Sequence, residues 1–442
     1  MTPPNRRAAA PGATAALFAA VPRATTARLL NGATVAPDSI RHYLQLIDKR
    51  FDFAVVGGGP AGASAARRLA EGGAETIVLE RRQFPRPKPC GGGLSGRALG
   101  WLGMPLPPDL IDCEVYAGRA HFGPVTINAR QDRRIAVTVT RSRFDHFLLE
   151  KAREAGAHVA WQEVRSIDVR PDGVVLTTPD GEVAARCAIV CEGANRRLTH
   201  ALRGREHPKE IGFCLEAEIP ALAPDPYADL RDTIDIYFGT PSHGYGWLFH
   251  HGSYYSVGVG GLCHWFHSPL ETFRRFLADR GLADGGVRPR GHFLPCGGIS
   301  RTVCGERLIL AGDAAGWVDP FQGEGIGYAI RSGQLAAETA LAAAARDDFS
   351  RRLLAVYKRR CDEEFGRDLR AARIVMHIVY WFPQILSWAP RSTERVLGEY
   401  LNVTAGDLSY REFVRWIAGR MPRFLLRAPW RRSNVGRVND PA

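Results

Sequence analysis

The chain has 442 residues, of which 45% are hydrophobic and 24% are charged. This composition indicates a soluble globular protein of about two or three domains, and it excludes a fibrous or wholly disordered chain. The net charge of +12 favours anionic partners without choosing among phospholipid headgroups, phosphorylated substrates and nucleic acid. The nine cysteines form no CxxC pair, so neither a disulfide framework nor a zinc module is expected.

The two ends of the chain differ from its middle. Residues 1–49 show no apolar period over most of their length, and we expect a disordered extension there, with a signal peptide as the alternative. Residues 411–432 mix aromatic and aliphatic side chains with seven arginines and one glutamate. Such a segment is typical of a helix at a membrane interface or of a surface helix packed on the protein. We expect a cytoplasmic protein with a peripheral contact at the inner face of the membrane, and no nucleic-acid partner.

Residues 51–80 carry the strongest pattern in the sequence. A short apolar strand runs into Gly57-Gly58-Gly59-Pro60-Ala61-Gly62 and then into a predicted helix, and a second strand ends in Glu80. Gly57 permits a tight turn, Gly59 lets the backbone approach a pyrophosphate, and Gly62 lets the helix pack on the strand. Glu80 can accept hydrogen bonds from both ribose hydroxyls of an adenosine, which favours FAD or NAD over NADP.

A second turn suited to a cofactor follows about 250 residues later. A predicted strand at 307–310 is followed by Asp313, whose carboxylate can bind sugar-like hydroxyls. A glycine-rich run at 323–327 then opens a predicted helix that reaches about Ala344. Two such turns, far apart in the chain, fit one long cofactor, and FAD fits them better than a nicotinamide that dissociates.

With these motifs, residues 50–400 resemble the geranylgeranyl reductase family, within the FAD enzymes built like p-hydroxybenzoate hydroxylase. The matching segments are Lys88–Ser95, Val139–Asp145, Ile189–Ala194 with Glu192 in place of the family's Asp, Tyr245–Phe249 with Gly258–Gly260, and Arg307–Asp313. The resemblance implies an α/β fold, in which a Rossmann-like FAD-binding domain carries an inserted antiparallel sheet and a C-terminal helical region. The expected ranges are 50–100, 135–200 and 300–345 for the FAD domain, 101–134 and 201–299 for the substrate domain, and 346–442 for the helices.

The resemblance also implies the site residues. Those expected at the cofactor are Gly57, Gly59, Ala61, Gly62, Glu80, Cys90, Gly91, Gly93, Arg141, Val164, Asp313, Gly325 and Ile326. Cys90 and Tyr245 are the candidate catalytic residues. Tyr245, Trp247 and Phe249 alternate along one predicted strand and are the candidate wall of an apolar substrate pocket, with ordinary core packing as the alternative. Cys90 is either a reactive thiol favoured by nearby Lys88 and Arg86 or a small residue that lets its loop approach the cofactor.

Two further clusters favour structural roles. Five histidines between residues 243 and 267 show no metal-ligand spacing, so no metal is expected, although one of them could donate a proton. The basic run Arg81, Arg82, Arg86 and Lys88 could attract a phosphate group, but such a run is more often a solvated loop.

The resemblance predicts an FAD-dependent oxidoreductase that reduces carbon–carbon double bonds of an isoprenoid, with NAD(P)H or another donor as reductant. The expected partner is an apolar, isoprenoid-bearing molecule or lipid. The alternatives are an FAD-dependent monooxygenase acting on an aromatic or isoprenoid substrate, a halogenase, and a flavin-binding protein without turnover. The fold alone does not separate these classes.

Overall fold

A mostly parallel sheet forms the first layer of the protein. Its central strand β1 (Arg50–Val56) lies between β2 (Thr76–Leu79) and β11 (Gly181–Val190) and is parallel to both. Strand β8 (His158–Ala160) continues the sheet beyond β2, and β18 (Leu308–Leu310) continues it beyond β11. Almost every side chain of β1 is buried, as is typical of a strand that is covered on both faces.

The computed structural model describes residues 49–195, 197–204, 206–282, 286–381 and 390–420. Residues 50–442 cluster into one unit. The expected N-terminal extension, apart from Lys49, and the second half of the 411–432 segment therefore lie outside the described residues.

Three short strands and several helices complete this layer. The strands are β9 (Ser166–Arg170), β10 (Gly173–Thr178) and β17 (Cys304–Gly305), and the helices are α1 (Pro60–Glu71), α3 (Arg141–Glu154) and α6 (Ile326–Ala344). Helix α1 packs against both α3 and α6. The contact with α6 is close because Gly333 has no side chain: a Cβ atom there would lie 2.2 Å from the carbonyl oxygen of Ala61.

A seven-stranded sheet forms the second layer. Its strands, in spatial order, are β16 (Arg290–Pro295), β12 (Ile211–Pro220), β15 (Tyr254–Leu262), β14 (Gly244–His250), β13 (Thr233–Phe238), β5 (Ala117–Phe122) and β6 (Val125–Arg130). All neighbouring pairs are antiparallel except β13 and β5. One face buries Tyr255, Val257 and Val259 against helix α5 (Pro269–Ala278), which contributes Phe273 and Phe276.

A small sheet joins the two layers. It pairs β7 (Ala136–Thr138) with β3 (Gly93–Ser95) and with β4 (Cys113–Val115). Helix α2 (Gly96–Leu102) follows β3 directly in the chain. Helix α4 (His200–Arg203) comes after β11 and before β12 in the chain. This arrangement places the loop that precedes β3 between the two large sheets.

The chain ends in a group of helices. They are α7 (Arg351–Leu354), α8 (Val356–Cys361), α9 (Arg367–Trp381), α10 (Pro390–Ala405) and α11 (Tyr410–Ala418), with one π-helical turn at Asp362–Gly366. A break at Ala355 and the π-helical turn divide the helical stretch from Arg351 to Trp381 into α7, α8 and α9. Among the residues that the structure describes, we find no helix long and apolar enough to cross a membrane.

The predicted fold class is confirmed: the protein is an α/β protein with a Rossmann-like layer and a second, largely antiparallel sheet. The strands of the two large sheets come from the two sets of ranges that the sequence assigns to two domains. The domain boundaries themselves stay a prediction.

Candidate active site

A cavity of about 1480 Å³ is lined by residues of both large sheets and of the C-terminal helices. The residues that line it differ between two parts of the cavity. One part is built from glycines, charged side chains and the start of α1, and another from aliphatic and aromatic side chains. All of the predicted site residues line this cavity, with the exception of Gly62.

The glycine loop after β1 shows why these positions lack side chains. Gly57 has a φ of +98°, which favours glycine. A Cβ atom on Gly62 would lie 1.8 Å from the carbonyl oxygen of Gly57, so Gly62 brings α1 against the loop rather than lining the cavity. At Gly59, in contrast, the nearest atom to an added Cβ would be 3.6 Å away, on the guanidinium of Arg86. The loop therefore leaves open space in front of the N-terminus of α1, which is suited to an anionic group.

Glu80 lies beside this loop at the end of β2. Its side chain is buried, and its two carboxylate oxygens accept hydrogen bonds from the backbone nitrogens of Gly58 (2.7 Å) and Arg82 (2.9 Å). Because these two bonds hold the carboxylate in one orientation at the cavity wall, it is positioned to accept further hydrogen bonds from the hydroxyls of a sugar.

Three charged side chains lie together at the start of α3. Arg141 donates two hydrogen bonds to Asp145, at 2.8 and 2.9 Å, and Arg86 lies 3.4 Å from the same carboxylate. Burial alone would lower the pKa of Arg141, but the charges of Asp145 and Cys90 and the hydrogen bonds to them together outweigh burial, and the pKa is raised. Asp145 is completely buried, so the group holds a fixed positive charge at the cavity surface.

A second charged group surrounds Asp313, at the end of β18. The ring nitrogen Nε2 of His292 lies 3.5 Å from the Asp313 carboxylate and 2.8 Å from Nζ of Lys88. Burial alone would raise the pKa of Asp313, but the hydrogen bond from His292 and the charge of Lys88 lower it. Burial lowers the pKa of both Lys88 and His292. Asp313 is therefore an anionic acceptor in the cavity wall, flanked by two basic groups.

The loop that carries Cys90 lies between these polar groups and the second sheet. The Cys90 thiol accepts a hydrogen bond from the backbone nitrogen of Gly92 at 3.4 Å. A Cβ atom on Gly91 would lie 2.8 Å from the ring of Phe249, so the loop contacts the aromatic residues of β14 directly. Gly93 also lines the cavity, and it begins β3.

Tyr245, Trp247 and Phe249 all line the cavity from β14. Neighbouring rings have centroids 6.2 and 6.5 Å apart, and they form one continuous aromatic wall. The Tyr245 hydroxyl donates a hydrogen bond to the carbonyl oxygen of Gln322, and burial raises the pKa of Tyr245 well above its ordinary value. At neutral pH Tyr245 is therefore a neutral phenol whose proton is held by a backbone oxygen.

Beyond this wall the cavity is mainly apolar, with Arg119, Thr393 and Thr404 as polar exceptions. Its apolar lining there includes Phe122, Ile127, Ile234, Ile236 and Phe238 from the second sheet and Val375, Ile378, Val379, Val396, Leu397, Leu401, Phe413, Val414 and Ile417 from α9, α10 and α11. An elongated hydrocarbon fits such a lining, because apolar side chains provide favourable contacts but no polar recognition.

The remaining predicted site residues contribute in different ways. Val164, Gly325 and Ile326 line the cavity, the last two at the N-terminus of α6. Glu192, which replaces the family's Asp, accepts hydrogen bonds from the backbone nitrogens of Leu198 and Thr199. Its longer side chain thus fixes the turn that leads into α4.

Sequence reasoning missed three acid–base groups. Glu324 lines the cavity, accepts a hydrogen bond from Ser95 at 2.9 Å, and has its pKa raised by burial to about 7. Glu216 lies 3.5 Å from the hydroxyl of Ser256, which accepts a hydrogen bond from Trp247, and burial raises the pKa of Glu216 to about 8. His292 lies outside the predicted set because a lone histidine on a strand gives no pattern. Glu324 could have been found, since it stands inside the glycine-rich motif.

Two structural interpretations need correction or qualification. The solvated-loop interpretation is wrong for Arg86 and Lys88, because both line the cavity and both contact buried charged or basic groups. The histidines are engaged in separate contacts: His250 with Asp225 at 2.9 Å and His251 with Asp112 at 2.8 Å. Within the described ranges, we find no group of three side chains that could hold a metal ion.

The residues of this cavity fit FAD. The open space at Gly59 and the free N-terminus of α1 suit a pyrophosphate, and the fixed positive charges of Arg86 and Arg141 add to that preference. The carboxylates of Glu80 and Asp313 would serve as acceptors for the hydroxyls of a ribose and of a ribityl chain. The fold and the cavity together define an FAD-dependent oxidoreductase.

Comparison with known proteins supports the same class, FAD-dependent oxidoreductases. Residues 52–122 match the family model described as FAD dependent oxidoreductase. The chain is 32% identical over 354 residues to digeranylgeranylglycerophospholipid reductase 1 of Methanopyrus kandleri, covering 74% of this chain and 90% of the relative. It is 30% identical over 320 residues to the chloroplastic geranylgeranyl diphosphate reductase of Arabidopsis thaliana, covering 66% of each chain. The protein belongs to the geranylgeranyl reductase family.

Solved structures share the fold. A geranylgeranyl bacteriochlorophyll reductase-like protein from Thermoplasma acidophilum superimposes with a TM-score of 0.71 at 23% identity, covering 86% of this chain and 98% of that one. Flavin-dependent halogenases also share the fold. The architecture is therefore common to several flavin chemistries and does not by itself select the reaction.

Proposed function

We propose that this protein reduces carbon–carbon double bonds of an isoprenoid chain. The observation that carries the proposal is the continuity of the cavity: one space joins the polar groups around Glu80 and Asp313 to an apolar wall that starts at Phe249. The Cys90–Gly93 loop lies where the two parts meet. A long apolar substrate held against the aromatic wall would thus reach the cofactor region without leaving the cavity.

The names of these relatives have an isoprenoid chain in common, and they differ in the head group that carries the chain. The names of the two curated relatives and of the solved neighbour all contain a geranylgeranyl group, attached to a diphosphate, a glycerophospholipid and a bacteriochlorophyll. The apolar lining suits that shared chain. The basic residues at the polar end would accept an anionic head, and the net charge of +12 has the same sign.

Alkene reduction needs a hydride, a proton and the exclusion of water. Bound FAD would supply the hydride. The protein would supply the other two, since the apolar lining excludes water and orients the chain. The candidate proton donors are Cys90, at the junction of the two parts, and Glu324, whose pKa of about 7 leaves it partly protonated at neutral pH. Tyr245 is a weaker candidate than the sequence suggests, because its proton is held by Gln322.

The test is product analysis with the FAD-loaded full chain and geranylgeranyl diphosphate. Without oxygen and with dithionite as reductant, we expect products that gain two hydrogens per reduced double bond. In a parallel sample, NADPH and air replace dithionite. A product that gains one oxygen atom in air, together with unreduced starting material without oxygen, would contradict the proposal and favour the monooxygenase alternative.

A peripheral contact with a membrane belongs to this proposal, because the expected substrates are lipids. The expected surface, residues 411–432, is only partly suited to it. In α11, the side chains of Tyr410 and Phe413 are buried in a cluster with Ala372 and Val375 of α9. The packed-helix interpretation therefore applies to residues 410–418.

A further inference from the structure

One face of α9 exposes large apolar side chains. Ile374, Ile378 and Trp381 are 52%, 42% and 54% exposed, and their spacing of four and three residues places them on one side of the helix. The opposite side, with Ala372 and Met376, is buried in the protein. We call Ile374, Ile378 and Trp381 the α9 face.

The apolar cavity reaches the surface beside the α9 face. Ile378 lines the cavity and is also 42% exposed. Ala418, at the end of α11, likewise lines the cavity and is exposed. Helices α9 and α11 pack against each other, so these two lining residues lie close to the surface beside the α9 face. An apolar molecule at the α9 face would therefore be at the entrance of the cavity.

Aromatic rings extend the α9 face at its C-terminal end. The Trp381 ring lies edge-on to His243, with centroids 4.9 Å apart, and His243 stacks on Trp265 at 4.6 Å. The Lys209 ammonium lies 5.7 Å from the Trp265 ring. Tryptophan rings with a neighbouring cation are typical of the boundary between hydrocarbon and headgroups.

Exposed arginines lie near the α9 face. Arg367 and Arg370 are exposed on the preceding turns of α9, and Arg411 and Arg415 are exposed on α11. Most nearby acids pair with basic groups: Asp362 lies 3.5 Å from Arg370 and Glu364 lies 3.1 Å from Arg331, while Glu363 is exposed. Asp368 is buried and pairs with Arg97 at 2.9 Å, and the Glu412 carboxylate accepts hydrogen bonds from Ser409 in a capping box. Negatively charged headgroups would complement this rim of arginines.

We propose that the α9 face docks on an anionic lipid bilayer and places the cavity entrance at the hydrocarbon boundary. The docking itself is inferred from the exposed apolar residues of the α9 face, the cavity-lining residues beside it and the exposed arginines around it. Only its consequence, that an isoprenoid chain passes from the bilayer into the cavity without crossing water, rests on the proposed function. The proposal moves the membrane contact from the 411–432 segment to α9, while α11 contributes its arginines to the rim.

Vesicle flotation of the FAD-loaded full chain tests the proposal. The vesicles contain phosphatidylcholine alone or an equal mixture with phosphatidylglycerol. The test variant is Ile374→Ser with Trp381→Ser, because neither residue lines the cavity. The control variant is Leu222→Ser with Leu270→Ser, which removes two apolar side chains of 45% and 44% exposure elsewhere. Bound FAD, measured by absorbance, shows that each variant is folded.

We expect the wild type and the control to bind the anionic vesicles, with weaker binding to phosphatidylcholine alone and at high salt. We expect the test variant to partition about tenfold less, because two apolar anchors are lost. Wild-type protein that does not float, or a test variant that floats like the control, would overturn the proposal. Light scattering adds an outcome: a wild-type dimer that becomes monomeric in the test variant would assign the α9 face to a second copy of the chain, which also overturns it. Turnover of detergent-dispersed substrate reports on the proposed function separately.

Discussion

The carboxylate of Glu80 lies 2.7 Å from the backbone nitrogen of Gly58, so the acid at the end of β2 holds the glycine loop at the end of β1. The two strands are neighbours in the sheet, which is why residues 22 positions apart in the chain meet. The same carboxylate stands at the cavity wall. It is therefore positioned both to hold the loop and to accept hydrogen bonds from a bound cofactor.

Replacing Glu80 should weaken FAD binding. Glu80→Gln keeps the size of the side chain but removes the charge that strengthens its hydrogen bonds, and we expect the Kd for FAD to rise about 10- to 100-fold. Fluorescence titration of the FAD-free protein measures this. The exposed Glu71→Gln on α1 is the control and should bind like wild type. An unchanged Kd in Glu80→Gln would remove this residue from the cofactor site.

Gly62 should tolerate no side chain. A Cβ atom there would overlap the carbonyl oxygen of Gly57, so Gly62→Ala should lower the free energy of unfolding by about 3 kcal/mol or abolish FAD retention. Gly100→Ala on α2 is the matched control, because nothing lies within 4 Å of its added Cβ atom. That variant should be unchanged or more stable by up to about 1 kcal/mol. Thermal unfolding compares the two, and equal stability would contradict the packing described here.

Replacing Cys90 should lower the turnover rate more than it weakens FAD binding. If its thiol provides the proton, Cys90→Ala should lower the rate of alkene reduction about 100-fold and leave FAD binding near wild type. Cys90→Ser keeps a proton-bearing group and should recover part of the rate. Cys263→Ala, which removes a half-buried thiol outside the cavity lining, is the control. Wild-type turnover in Cys90→Ala would identify the residue as a small spacer in its loop and favour Glu324 as the donor.

Gly118 should influence the length of chain that the cavity accepts. A Cβ atom on Gly118 would lie 2.8 Å from the side chain of Leu401, and both residues line the cavity. Gly118 lies on β5, and His292 of the Asp313 group lies on β16, five strands away in the sheet. At the usual spacing of neighbouring strands, this separation is about 24 Å across the sheet. Gly118→Val should therefore raise the KM for a geranylgeranyl substrate about tenfold and change a geranyl substrate little. An equal effect on both would place Leu401 near the reacting bond instead.

Glu216 should make stability depend on pH. Its pKa is raised by burial to about 8, so the folded protein keeps a proton that the unfolded chain loses above its ordinary pKa of 4.5. The free energy of unfolding should then fall as the pH rises between those two values. Glu216→Gln should lack this pH-dependent loss of stability, so its free energy of unfolding at pH 9 should be higher than that of wild type. Denaturant unfolding at pH 6 and pH 9 measures it, with the exposed Glu182→Gln as control. Parallel pH dependence in wild type and Glu216→Gln would contradict the assignment.

Local patterns revealed the parts of the fold and site that depend on neighbouring residues in the chain. The strand, glycine loop, helix and terminal acid of residues 50–80 form one continuous unit, and so does the alternation of aromatic residues on β14. Contacts between distant segments were not visible in the same way. Lys88, His292 and Asp313 meet only because three separate loops and strands converge, and no spacing in the sequence connects them.

The C-terminal helices show the same limit. The amphipathic pattern of residues 410–418 indicates a helix with one apolar face, but it does not say what covers that face. The structure shows that Phe413 packs on α9, whereas Ile374 and Trp381 of α9 point outward. Both helices carry apolar and basic residues, so composition alone could not decide which one is exposed.

The most direct measurement of the central claim is anaerobic stopped-flow absorbance. The FAD-loaded protein is reduced stoichiometrically with dithionite and mixed with geranylgeranyl diphosphate in the absence of oxygen. The account predicts that the visible flavin band returns, with one flavin reoxidised for each double bond reduced, and that Cys90→Ala slows this step. A flavin that stays reduced until oxygen is admitted would contradict the claim that this cavity reduces an isoprenoid chain.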